Sequence, residues 1–189
     1  MTIRHHGLIA TLVICIATAG LLAYRYRALW LANANKGPEA GPRSFLLKST
    51  EARVHLYFSD ADHRFLTAEE RLLAQPDSVV ERVKVIVQAL IEGPKGPLTP
   101  TVPAETKLLA LYVTKDGIAY VDFDRAISEQ HPGGSLCELL TIFSIVNTVV
   151  LNVPEVEAVK ILIEGQEAKT LAGHIDIRFP FRPDMLMIK

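Results

Sequence analysis

Hydrophobic and polar residues change rhythm several times along this chain, and each rhythm predicts an element. Residues 7–24 have no rhythm at all: 18 consecutive residues carry no charge, from Gly7 to Tyr24. At about 1.5 Å per helical residue they reach roughly 27 Å, close to a hydrocarbon core of about 30 Å, which predicts one membrane-spanning helix. Strict alternation follows at 53–59, where Val54, Leu56 and Phe58 interleave with Arg53, His55, Tyr57 and Ser59, the pattern of a half-buried strand. From Val79 to Ile91 the apolar positions Val79, Val80, Val83, Ile86, Val87, Leu90 and Ile91 recur at helical spacing opposite Glu81, Arg82, Lys84 and Gln88. Ser78 and Glu81 stand in the spacing of a capping box, and Gly93-Pro94 is a stop signal.

Two apolar runs, 107–114 and 118–124, are separated by Lys115-Asp116-Gly117, and Asp-Gly between two strand patterns predicts a hairpin. The stretch from Gly133 to Gly165 reads as a helix, a turn and a buried strand. Ser135 and Glu138 again have capping-box spacing; Leu136, Leu139, Leu140, Phe143, Val146 and Val150 form one side, and Glu138, Thr141, Ser144 and Thr148 a narrower polar side. Pro154 ends that helix, Val156, Val159, Ile161 and Ile163 predict a strand, and residues 173–177 predict a short final strand. Phe65 and Leu66 are expected to pack back on the core. Residues 67–75 stay open between two readings: Thr67 and Glu70 suit a short helix, Arg71, Leu72 and Leu73 an extended run.

The order strand, helix, hairpin, helix, strand predicts an α+β fold of β-α-β-β-α-β type. It would be a small two-layer sandwich with two helices on one face of a mainly antiparallel sheet, preceded by the transmembrane helix. The expected organisation is a short segment at 1–6, the span at 7–24, a flexible linker at 25–52, a folded domain at 53–181 and a tail at 182–189. The linker contains Gly37-Pro38 and Gly41-Pro42 and no sustained period. Its coil dimension is on the order of 25 Å, so the domain can stand off a bilayer.

Composition sharpens the picture at the N-terminus. Ala17-Thr18-Ala19 offers the rival reading of a cleaved signal peptide, but the apolar run continues through Leu21 and Leu22, and Tyr24, Tyr26 and Trp30 suit interfacial anchors. Cys15 does not make a lipidation site, because Ile14 stands where a small residue is needed. The positive-inside rule sets Arg4 against Arg25, Arg27 and Lys36, and by itself it would put the domain in the cytoplasm. A net charge of -1 without a block of like charges gives no reason to expect nucleic acid. Pairing the two cysteines, Cys15 and Cys137, would tie a membrane segment to a domain core, so no disulfide is expected.

Candidate chemistry is sparse. Asp60 and Asp62 with His63 supply too few oxygens for a calcium loop and read as a turn. Asp122 and Asp124 flank Phe123 on one sheet face, about 7 Å apart, a spacing that a carboxylate pair can use. His174 and Asp176 form an i, i+2 pair, with no serine or cysteine in a strained turn to activate. No catalytic, cofactor-binding or metal residue is therefore expected, and these four are candidates only for a glycan-binding or glycan-hydrolysing alternative.

The run Leu56-Tyr57-Phe58-Ser59-Asp60-Ala61-Asp62 with Phe65-Leu66, residues 90–94, residues 98–106 with Pro103, and Val121-Asp122-Phe123 resemble the GerMN domain of sporulation and spore germination proteins. So do Gly134-Ser135 with Glu138, Val146-Asn147-Thr148, residues 156–159, Gly165 and Gly173-His174-Ile175-Asp176. The resemblance covers about residues 53–180. It implies an extracytoplasmic domain tethered by a lipid or a helix, without known catalytic activity, similar to ring-building domains that associate with copies of themselves or with envelope partners. It also implies, against the arginine count, that the domain lies outside the cytoplasmic membrane. The chain departs from the family plan in carrying a single copy and no lipobox cysteine. The expected role is non-catalytic protein assembly in the cell envelope, with peptidoglycan as a further neighbour.

Overall fold

The computed structural model describes residues 50–189. The membrane span expected at 7–24 and the linker up to residue 49 lie outside the described residues. Two antiparallel strands come first, β1 (Glu51–Ser59) and β2 (Leu66–Ala74), in register from Glu51 opposite Ala74 to Ser59 opposite Leu66. Helix α1 (Val79–Ile91) follows, then β3 (Leu108–Val113), β4 (Ile118–Phe123), the short helix α2 (Ala126–Glu129), helix α3 (Ser135–Asn152), β5 (Ala158–Ile163) and a 3-10 turn at Met185–Met187.

The fold class is α+β, but the strands form two sheets and not one. β1 and β2 make a two-stranded hairpin; β3, β4 and β5 make a second sheet in that order. Within it β3 and β4 are antiparallel while β4 and β5 are parallel, because α3 crosses back before β5 begins and so restores the strand direction. The expected hairpin closes at Thr114–Gly117. Only Gly117 of the Asp-Gly pair takes positive φ (+78°), so the connection is a type I turn followed by a left-handed glycine. The open stretch at 67–75 is β2, and the strand expected at 173–177 is instead a loop with a single bridge between Thr170 and Asp176.

One core joins the layers. Val54, Leu56 and Phe58 of β1, Val83, Val87 and Leu90 of α1, Ala119, Val121 and Phe123 of β4, Ile142, Ile145 and Val149 of α3, and Val159 and Ile161 of β5 are buried in it. Leu171 and Ile177, from the irregular segment after β5, complete it. Phe65 is half-buried and Leu66 fully buried, as expected of residues packing back after the turn.

α3 is buried on both sides, which the sequence pattern did not predict. Leu136, assigned to the apolar side, is exposed, while Thr141, Ser144, Asn147 and Thr148 are at most 2 % exposed. Of the polar residues on this helix, Ser144, Thr148 and Asn152 lie along the outer edge of β1 and stand in for a third strand, while Thr141 bonds the Thr101 carbonyl and Asn147 the backbone of Asp184. The Tyr57 amide donates to Thr148 Oγ1 (3.0 Å), and Ser144 Oγ donates to the Tyr57 carbonyl (2.6 Å). Asn152 mimics a peptide group, accepting from the His55 amide (2.9 Å) and donating to its carbonyl (2.8 Å). A sheet edge needs partners for its amides and carbonyls, and here the helix supplies them, which keeps β1 out of the β3-β4-β5 sheet. Asn152→Ala removes both contacts at a partly exposed place and is expected to lower stability by about 1–2 kcal/mol in chemical denaturation. A change below about 0.3 kcal/mol would show that water replaces the amide at no cost.

Neither capping box forms. Ser78 caps α1 by position without a side-chain hydrogen bond. At α3 the N-cap is Gly134 (φ +90°), Ser135 is already inside the helix, and Glu138 turns elsewhere.

Candidate functional site

Glu138 is, with Glu69, one of the two most heavily engaged carboxylates among the described residues. Its side chain is fully buried at the first turn of α3 and faces residues 172–175, which return after β5. The amides of Ala172 (3.1 Å), His174 (3.0 Å) and Ile175 (3.0 Å) donate to its two oxygens, and His174 Nδ1 lies 2.7 Å from Oε1. Burial pushes the carboxyl pKa up, but the Ile175 and Ala172 amides, with His174, outweigh it and hold the group below the ordinary range. Nearby, His131 is lowered by burial against an opposing pull from Glu138, and its ring joins Thr141 Oγ1 (2.9 Å) to the Gly133 amide (2.9 Å). This knot fixes an irregular segment to the core helix through backbone groups that have no strand to join.

The sequence-nominated residues do not converge on one another. Asp122, on the face of β4 away from the core, is 8 % exposed and accepts from the Gly165 amide (2.8 Å), closing the turn after β5 where Glu164 and Gly165 both take positive φ. Asp124 accepts from the Lys107 amide (3.0 Å) at the open end of the β3–β4 hairpin. His174 turns to Glu138 and away from Asp176. Asp176 is bound by the Arg178 guanidinium (2.6 Å), which with the Arg178 amide lowers its pKa to about 2. Asp60 orders the β1–β2 turn by accepting from the Arg64 (2.8 Å) and Phe65 (3.2 Å) amides, and those amides depress its pKa. Each acid is thus held by a different local partner. Among the described residues no three His, Cys, Asp or Glu side chains gather as a metal site would require.

A half-open cavity of about 300 Å³ lies between the β1–β2 turn and the start of α3, lined by Ser59, His63, Thr101, Cys137, Leu140 and Thr141 among others. His63 takes a left-handed backbone (φ +52°) at its rim, with Nδ1 3.5 Å from Ser59 Oγ. The walls are mostly apolar, and Cys137 presents a free, half-buried thiol.

The outer face of the second sheet is open at one end. β3 is its edge strand, and Leu109 and Tyr112 are both at least half exposed. Tyr112 stands directly across from Tyr120 on β4. Lys160, at the far side of the same face, is 2 % exposed and donates to the Ile177 (3.4 Å) and Arg178 carbonyls, so the chain after β5 covers that end and leaves the β3 end open.

The sequence reasoning missed Arg71, whose guanidinium is buried under the hairpin. It donates to the carbonyls of Ala89 (3.2 Å) and Gly93 (2.6 Å) at the end of α1 and pairs with Glu69 at 2.5 Å. Glu69 in turn accepts from the Lys95 (3.0 Å) and Gly96 (2.9 Å) amides. An isolated arginine in an unassigned stretch carries no pattern that announces this role.

Comparison with known proteins agrees with this arrangement. A Clostridium perfringens protein described as a candidate lipoprotein superposes with a TM-score of 0.52 and 28% identity, over 70% of this chain and 87% of that one. The first GerMN domain of the sporulation protein GerM from Bacillus subtilis gives 0.52 at 20% identity, over 71% of this chain and 98% of that one. The tandem GerMN domains of the same protein give 0.51 at 20% identity, over 72% of this chain and 46% of theirs, so this chain spans less than half of the tandem protein. At this identity the two GerM likenesses speak to the fold alone. A search of curated proteins finds no match. The Germane family, described as sporulation and spore germination, matches residues 55–169, more than half of the chain and nearly all of the two sheets and three helices described above. The chain belongs to the Germane family of sporulation and spore germination.

Proposed function

We infer that this is a non-catalytic domain, anchored by the span at 7–24, that assembles with an envelope protein or with a second copy of itself outside the cytoplasmic membrane, in contact with peptidoglycan or close to it. The observation that carries this reading is the distribution of the polar side chains. Asp122, Asp124, His174 and Asp176 are each occupied by a separate backbone amide or side chain, and a hydrolase needs two such groups facing one substrate. The exposed β3 edge with Leu109 and Tyr112 offers backbone donors and acceptors together with apolar side chains, the combination that strand addition uses. The family match supports a role in sporulation or germination-type complexes.

The test is a crosslinking pulldown of the full-length protein in its membrane, with the mass of the mature chain and protease accessibility read in the same preparation. An intact N-terminus, a domain cleaved from the outer side and a reproducible protein partner are the expected results. Alanine at Asp122, Asp124, His174 and Asp176, one at a time, is expected to leave that partner bound. Loss of function at a single position in a protein that still folds would overturn the non-catalytic reading, and recovery of glycan alone would favour the sugar-directed one.

A further inference from the structure

The cavity between the β1–β2 turn and the start of α3 has one wall that a proton can address. Pro132 lines it, and the residues on either side of that proline are tied together: the Gly133 amide donates to His131 Nδ1 (2.9 Å). The other ring nitrogen, Nε2, lies 2.9 Å from Oγ1 of Thr141, a second lining residue, and the Thr141 hydroxyl donates to the Thr101 carbonyl (2.6 Å). An amide nitrogen only donates and a carbonyl oxygen only accepts, so the two ends of this chain of hydrogen bonds fix its direction. Nε2 carries the proton, and Nδ1 must stay bare. A proton on Nδ1 would set two donors face to face and break the contact to Gly133. The backbone there is free to respond. Gly133 (φ +79°) and Gly134 (φ +90°) have no atom beyond their chain neighbours within 4 Å of where a Cβ would sit. Gly134 is the N-cap of α3, and its carbonyl accepts from the Glu138 amide (2.9 Å), so movement there loosens the first turn, which carries Cys137 in the cavity wall.

We propose that His131 is a proton-operated latch: protonation of Nδ1 releases the Gly133–Gly134 lead-in to α3 and opens the cavity. The titratable and charged groups around the ring are Cys137 and Glu138 of α3, His174 beyond Glu138, His63 at the cavity rim and Glu129 at the end of α2. Glu138 favours a proton on His131, but it is already engaged by His174 and three amides. A proton on His174 strengthens its contact with Glu138 and so tightens this end of the helix. At His131 burial outweighs the pull of Glu138 and lowers the folded-state pKa. The closed latch is therefore most stable above the ordinary imidazole value, about 6.5, and weakens as pH falls below it. A closed form that takes no proton and an open form with an ordinary imidazole differ by a factor that shifts up to about tenfold between pH 7.5 and pH 5.5.

Cys15 and Cys137 are the two cysteines of the chain, so Cys15→Ser leaves Cys137 as the one thiol that reports on the wall. In the full-length Cys15→Ser protein in neutral detergent micelles, the rate at which Cys137 reacts with dithiodipyridine is divided by its rate in the same chain unfolded in urea at the same pH. That ratio removes the titration of the thiol in the unfolded chain. It is expected to rise about threefold to tenfold from pH 7.5 to pH 5.5, the range set by the imidazole value. With His131→Asn added it should stay level, because the Asn Oδ1 accepts from Gly133 and takes no proton. A rise of less than about threefold, or one equally large with His131→Asn, overturns the latch. Nitrogen NMR of the imidazole in the Cys15→Ser protein tests the same assignment with residue 131 untouched, should His131→Asn fail to fold. A protonated Nε2 with a bare Nδ1 at pH 7.5 is expected, and a proton on Nδ1 overturns the proposal.

Discussion

Glu138→Gln is expected to destabilise the domain by about 2–4 kcal/mol, because a neutral amide replaces a fully buried carboxylate that accepts from three backbone amides and faces an imidazole. The carboxamide keeps the shape but has one oxygen where the carboxylate has two, and its NH₂ points a donor at amides that are themselves donors. For a domain of this size such a loss corresponds to roughly 10 °C in Tm. The pH dependence follows from the direction of the shift. The folded-state pKa of Glu138 is lowered, so its contribution is fully present above the unfolded value, about 4.3, and is lost as pH falls through the folded value. Wild type should therefore lose stability below about pH 4.5, and the Gln variant should lose less over the same window, by up to about 1.4 kcal/mol per pH unit. Glu69 is also lowered and keeps part of the acid sensitivity in both proteins. Hydrogen exchange separates local from global effects: the amides of Ala172, His174 and Ile175 should lose protection first. Equal stability of the two proteins at pH 7, or parallel acid profiles, would refute the role given to this carboxylate.

The same residue shows how far the sequence could be read. Ser135 and Glu138 have capping-box spacing, and nothing local distinguishes a glutamate that reaches back to its own helix from one that faces a loop 34 residues downstream. Elements with a strong local period were legible. α1, the β3–β4 hairpin and α3 all lie where periodicity and the Asp-Gly turn placed them. The separation into two sheets was not legible, because it depends on Ser144, Thr148 and Asn152 occupying the edge of β1, and a polar stripe on a helix looks the same whether it faces water or a strand. The parallel pairing of β4 with β5 likewise depends on the crossover and not on the strands. The acids Asp122, Asp124 and Asp176 were visible as residues, but only the fold reveals that each binds its own turn or neighbouring side chain.

β2 escaped assignment for a reason that leads to the second large effect. Its inward positions are Thr67, Glu69, Arg71 and Leu73, opposite Phe58, Leu56, Val54 and Ala52, so three of the four are polar where a strand pattern calls for apolar residues. What replaces the apolar contact is the Arg71–Glu69 pair, with Arg71 also 5.6 Å above the Phe58 ring. Arg71→Met is expected to cost about 3–5 kcal/mol, since it leaves Glu69 without its cation and the Ala89 and Gly93 carbonyls without a donor. Arg71→Lys should recover only part of this, because one ammonium cannot reproduce the planar fork that meets two carbonyls and a carboxylate together. Adding Glu69→Gln to Arg71→Met should return some stability, as the uncompensated charge disappears, and urea unfolding of wild type, Arg71→Met, Glu69→Gln and the double variant gives the coupling energy directly. Arg71→Met within about 1 kcal/mol of wild type would mean that water reaches this pair freely. In that case the hairpin would be held to the core by Val54, Leu56, Phe58 and Leu73, and the Arg71–Glu69 pair would add little to the fold.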